Sequence, residues 1–186
     1  MGLANLLTRF LALGGSGGEY GPPVVMGDES IMRPKTHGTS NTPVQSDLRW
    51  GCDSNLADRI CNFNRKWAEN SGYFLRTSFL DEARKDGGED AEITFYDSNS
   101  GKPLFKAPRG RTFEEFVRES KVHGWPSFRD NEVVWDNMRV LSGGEAVSVD
   151  GTHLGHNLPD SKGNRYCINL VSVAGRPMKS SEEKPL

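Results

Sequence analysis

The stretch Arg165-Tyr166-Cys167-Ile168-Asn169-Leu170 alternates polar and apolar residues with the period of a β-strand. Tyr166, Ile168 and Leu170 then share one face, which belongs in a core, and Arg165, Cys167 and Asn169 share the other. That second face sets a thiol between a guanidinium and a carboxamide, surroundings that favour thiolate and hold a polar substrate. The competing reading is structural, because a lone cysteine in a strand is usually a small core residue. Three of the four histidines, His123, His153 and His156, fall in the same half of the chain, and His153-Leu154-Gly155-His156 puts two imidazoles around a glycine. Gly124-Trp125-Pro126-Ser127-Phe128 is a turn able to present an indole face to a methyl or thioether group, although an aromatic residue there also suits a core. Two histidines and a cysteine also suggest a catalytic zinc with one position open to water, as in a hydrolase. Against this, His-x-x-His on a loop with one distant Cys lacks specific metal spacing, and Cys-x-x-Cys is absent.

The elements that must position these groups read as mainly β. Runs at 133–135, 138–141, 146–149 and 166–173 are short, β-type and separated by Gly, Asn and Asp, the spacing of an antiparallel meander or barrel. Before them, Ile93-Thr94-Phe95-Tyr96 and Pro103-Leu104-Phe105 flank a turn-forming stretch and predict a hairpin. Thr112 and Glu115 have capping-box spacing, with Phe113, Phe116 and Val117 as the buried stripe of a helix ending near Lys121. Asp53 or Ser54 caps another predicted helix, with Leu56, Ile60, Phe63 and Trp67 on one stripe, Cys61 beside it, and an end near Ser71-Gly72. The charged, Gly-broken run at 83–90 reads as an exposed loop.

Composition bounds the rest. With 186 residues, 21 glycines, 10 prolines and 35% apolar content, one loop-rich domain is expected at 45–175, between a flexible N-terminal tail or linker (1–44) and a polar C-terminal tail (176–186). The segment from 19 to 44 should be ordered only if it lies on something else. The balance of 25 acidic and 23 basic residues gives no footprint for nucleic acid, and no apolar run approaches the ~20 residues of a membrane span. Three cysteines make no self-contained disulfide scaffold and favour free thiols in a reducing, cytoplasmic setting. Leu3, Leu6, Leu7, Phe10 and Leu11 repeat at helical spacing before a glycine tether, so an organelle or membrane-surface address through that segment is the alternative.

Taken together, HGWPSF (123–128), THLGHNLPD (152–160) and GNRYCINLVSV (163–173) resemble, in order and spacing, the type-B methionine sulfoxide reductases. The resemblance covers residues 93–173. It implies two antiparallel sheets and an oxidoreductase that returns methionine-R-sulfoxide to methionine, with Cys167 as nucleophile. By the same match, Trp125, with Phe128 and His123 in its motif, faces the substrate, His153, His156 and Asn169 organise water and the sulfoxide oxygen, and Arg165 supports thiolate. His156 is the first choice of proton donor and His153 the second. A free thiol near pKa ~8.5 is a few per cent ionised at neutral pH, and Arg165 with an imidazolium would bring it toward ~7.

Two departures from the family pattern matter. Many relatives carry a resolving cysteine just before GWPSF, where this chain has His123, so Cys61, or alternatively Cys52, is the expected partner for the sulfenic acid. Many also hold structural zinc at two Cys-x-x-Cys pairs. The matching positions here are Asp97, Ser100, Val147 and Asp150, so no metal or other cofactor is expected and hydrogen bonds should hold that region. A thioredoxin-like dithiol is the implied reductant and a monomer the expected state. A binding module of the same fold, recognising oxidised methionine without turnover, is the second hypothesis.

Overall fold

The computed structural model describes residues 19–87 and 91–179. The apolar repeat at Leu3 to Leu11 and the tail beyond 179 lie outside the described residues.

Two antiparallel sheets carry the fold. Strands β1 (Ile93–Tyr96) and β2 (Pro103–Ala107) form the predicted hairpin. Its turn closes on Asp97, which accepts the Asn99 amide at 2.9 Å. The larger sheet contains β3 (Ser127–Phe128), β4 (Met138–Val140), β5 (Glu145–Ser148), β6 (His153–Asn157) and β7 (Tyr166–Ile168). Its spatial order is β3-β7-β6-β5-β4, so the strand bearing Cys167 has a hydrogen-bonded neighbour on each side. Among the described residues neither sheet closes on itself.

Helix α1 (Ser54–Asp58) starts where Asp53 accepts the amides of Asn55 and Leu56, and it widens into a π turn at Arg59–Phe63. It stops well short of Ser71, and Phe63 and Trp67 are more than half exposed, because the stripe they were assigned to ends with the turn. Helix α2 (Phe79–Gly87) takes in residues 83–87 of the run expected as a loop. Phe79 and Ala83 are spaced i, i+4 and buried, and Leu80 packs half-buried against the same core, so a few apolar contacts hold a largely charged helix. Helix α3 (Phe113–His123) has the capping box: Thr112 Oγ1 accepts the Glu115 amide and Glu115 accepts the Thr112 amide.

The strand expected at 133–135 reduces to one bridge, Val133 to Phe105, followed by a turn. The run at 166–173 is a strand only to Ile168, after which Leu170–Ser172 coils into a 3-10 turn.

Between the sheets and α3 lies an aromatic core. Phe105 and Phe128 stack at 4.2 Å between centroids, and Phe95 meets Phe128 edge-on at 5.0 Å. Residues 19–44, read from sequence as a tail or linker, lie first on the larger sheet and then, from His37 on, against the end of α1 and the turn that follows it. Met26 bridges Val140 in parallel, the Gly27 amide donates to Val140 O, and Met32 packs into a small second cluster with Leu141 and Val147. Lacking periodicity, the segment gains order by covering the exposed edge of β4. At the other end, the Arg176 amide donates to Gln45 and its guanidinium to Asp47. No helix among the described residues is long and apolar enough to cross a membrane.

Candidate functional site

Register fixes the surroundings of Cys167. Across β7 it pairs with Ser127 on β3 and with His156 on β6. Tyr166 and Ile168 are fully buried on the apolar face, while the Cys167 side is partly open. This close packing of strands requires Gly155, since a Cβ there would sit 2.0 Å from the Cys167 carbonyl oxygen. The glycine of His-Leu-Gly-His thus lets the two strands meet and puts His156 opposite Cys167.

Above Cys167 is a cavity of about 420 Å³, lined among others by Trp125, His153, His156, Asn169, Trp67 and Leu158. A larger concavity of about 580 Å³ lies along α3, but its walls are mostly charged and amide side chains, with Arg111 and Arg129 both paired to Glu119, and they include neither thiol nor imidazole. Chemistry favours the smaller one.

His153 is almost buried, and its Nδ1 lies 2.9 Å from Glu145 Oε1. Burial pushes the Glu145 carboxyl up, but hydrogen bonds from His153 and Arg65 outweigh it and hold the group below its usual range. An ionised carboxylate only accepts, so Nδ1 carries the hydrogen and Nε2 is the nitrogen free for the cavity. Arg65 grips both oxygens of Glu145 and reaches Glu29 as well, tying this wall to the N-terminal segment.

Asn169 Oδ1 accepts the Glu69 amide at 2.9 Å, and its Nδ2 donates to Leu154 O at 3.0 Å, leaving one Nδ2 hydrogen for a ligand. The Trp125 indole donates to Glu69 O at 3.0 Å. Glu69 itself, 2% exposed, accepts the amides of Leu170 and Val171 at 2.8 and 3.0 Å. Burial pushes its carboxyl up to about 7, against the pull of those two amides.

The Cys167 thiol also departs from expectation. Burial raises its pKa, the Arg165 guanidinium beside it lowers it, Glu69 raises it, and the balance is upward. Cys167 is therefore a thiol at rest, and the expected shift toward thiolate is corrected: desolvation outweighs the single cation. Arg165 is 8% exposed, and its Nε and Nη1 have no hydrogen-bond partner among the described residues.

No family model, curated protein or solved structure matches this chain.

The cavity thus gathers Cys167, His153, His156, Asn169 and Trp125, with Arg165 packed behind the thiol. Four sequence candidates lie elsewhere. Phe128 is fully buried in the aromatic core, because its β3 position faces away from the cavity. His123 ends α3 and gathers with Glu119 and Asp160. Those two carboxylates are bridged by Arg129, whose cation already occupies the place a metal would take. Cys61 is fully buried, with its Sγ 3.4 Å from Ser172 Oγ, and burial pushes its thiol far up. Cys52 is buried too, its thiol pushed up to about 12 by burial. Neither lines the cavity, so the resolving assignment to Cys61 or Cys52 does not fit: the helix side that carries Cys61 packs inward.

At the positions matching zinc ligands, Val147 is core hydrocarbon and supplies no donor atom. Asp97 is fully buried and accepts Thr152 Oγ1 at 2.8 Å, and Asp150 takes the Lys102 ammonium at 3.0 Å. That donor set does not suit zinc. Nor do His153, His156 and Cys167 gather their donor atoms within 4.8 Å, as Glu119, His123 and Asp160 do.

Sequence reasoning missed Glu69, Glu145 and Arg65. Glu69 has no local pattern to betray it, because its partners are main-chain amides 101 and 102 positions away.

Proposed function

We propose that this protein is a type-B methionine sulfoxide reductase acting on methionine-R-sulfoxide in polypeptides. One observation carries the reading: a thiol, two imidazoles, a carboxamide and an indole from separate motifs line one cavity of about 420 Å³. The indole of Trp125 suits the substrate methyl group, and the imidazole of His156, opposite Cys167, suits the sulfoxide oxygen.

The Cys167 sulfur attacks the sulfoxide sulfur. Because the resting group is a thiol, its proton leaves to an imidazole as the bond forms, while His156 protonates the sulfoxide oxygen. The oxygen ends on Cys167, whose sulfur is oxidised by two electrons to the sulfenic acid, and the substrate sulfur is reduced by two to methionine. With Cys61 and Cys52 buried outside the cavity, an external dithiol of the thioredoxin type reduces the sulfenic acid directly. Water leaves and the dithiol becomes a disulfide. The chain works as a monomer in a reducing compartment, without metal or other cofactor.

The test is turnover of an R-sulfoxide peptide with dithiothreitol. Cys167→Ser abolishes it, while Cys61→Ser and Cys52→Ser retain it; full activity of Cys167→Ser overturns the reading. The protonated resting thiol also favours a second reading, a module that binds oxidised methionine without reducing it. Binding without turnover in the same assay selects that one.

A further inference from the structure

One wall of the cavity is formed by residues 65–68 of a loop spanning 64–72, which is tied to the His153 side through Arg65 and Glu145 and to the Trp125 and Cys167 side through Glu69. Glu69 uses all three of its polar groups there. Its amide donates to Asn169 Oδ1, its carbonyl accepts the Trp125 indole, and its carboxylate accepts the Leu170 and Val171 amides. The partners are a residue of the cavity's floor, the aromatic residue beside it, and the turn that ends the Cys167 strand. A second tie, the Gly72 amide to Gly124 O at 2.7 Å, fastens the same loop to the turn that carries Trp125.

We propose that Glu69 is the positioning residue of this site, holding Trp125, Asn169 and the backbone after Cys167 in one geometry; this rests on the reductase reading. The carboxylate is needed where it stands. Leu170 and Val171 open a 3-10 turn, so their amides have no acceptor within it, and an apolar side chain at 69 would leave two buried donors unpaired. Burying a carboxylate is costly, and that cost is met here by geometry that a hydrocarbon could not fix.

The experiment compares wild type, Glu69→Ala and the isosteric Glu69→Gln by two readouts. The first is the ¹⁵N–¹H signal of the Trp125 indole, assigned by its loss in Trp125→Phe. The second is the split of kcat and KM with an R-sulfoxide peptide and dithiothreitol. In Glu69→Ala the indole signal shifts and its hydrogen exchanges faster, KM rises and kcat falls, and kcat/KM drops by about a hundredfold with the fold retained. Glu69→Gln keeps one acceptor and falls between the two. Should Glu69→Ala fail to fold, Glu69→Gln alone decides. An unmoved indole signal with wild-type kcat and KM in the folded variants overturns the proposal. A wild-type protein that turns nothing over, yet whose indole signal responds to Glu69→Ala, refutes the reductase reading while leaving the anchoring intact.

Discussion

Arg165 pulls the Cys167 thiol toward ionisation, and burial together with Glu69 pushes it the other way. Because the upward influences win, alkylation of Cys167 by iodoacetamide should follow a pH curve displaced above that of an ordinary thiol. Arg165→Gln removes the opposing cation and should displace it further upward; a downward displacement would contradict the assignment of Arg165. The alternation around Cys167 made the two faces of the strand legible, and the His-x-x-His spacing made two imidazoles legible. The ionisation was not, since desolvation depends on what covers the thiol, and the cover comes from a loop about a hundred positions earlier. Glu145 was equally hidden. Its role is to fix the tautomer of His153, and its sequence neighbours are a glycine and an alanine that give no hint of an imidazole on the next strand.

Elements defined by local chemistry were the readable ones. Thr112 and Glu115 announced α3 because a capping box is a contact between residues three apart, and Thr112→Ala should cost about 1 kcal/mol in chemical unfolding. The Ile93 hairpin was readable for the same reason. Helix α2 was not, because two buried residues, Phe79 and Ala83, decide it against a charged sequence. The strand expected at 133–135 failed for the converse reason: β-favouring residues there find one bridge partner and no ladder. The β6–β7 contact is the element on which the site depends most. Gly155→Ala forces a Cβ into the Cys167 carbonyl oxygen, so the strands must part. The expected outcome is a loss of about 1–3 kcal/mol or more in denaturant unfolding, typical of overpacking. Activity should fall further than stability, because the same displacement takes His156 from its place opposite Cys167. A stable, fully active Gly155→Ala would show that this register is not required.

At the scale of the whole molecule, two antiparallel sheets were legible from the rhythm of short strands, while the packing of residues 19–44 was not, since its bonds run to a sheet edge and to side chains far along the chain. Titration of the folded protein is also a whole-molecule property, and Glu69 contributes to one window of it. Its carboxyl stands at about 7 in the folded chain against an ordinary 4.5. Between those values the native state holds a proton that the unfolded state has released, so stability falls as pH rises through the window and levels off above it. The drop attributable to this group is about 3 kcal/mol, taking 1.36 kcal/mol per unit. Carboxyls held low act in the opposite sense: Asp160, held by Arg129 at about 2, contributes stability that is full above its ordinary 3.8 and is lost as pH falls from there through about 2. Denaturant unfolding from pH 4.5 to 8 should therefore show wild-type stability declining toward neutrality. Glu69→Gln should reduce that slope, whatever its level, because the lost acceptor shifts the whole curve while the lost titration flattens it; the remainder belongs to Asp97, whose carboxyl is also raised by burial. A slope equal in the two proteins would mean that Glu69 is ionised throughout, and that the buried carboxylate is better solvated than its surroundings imply.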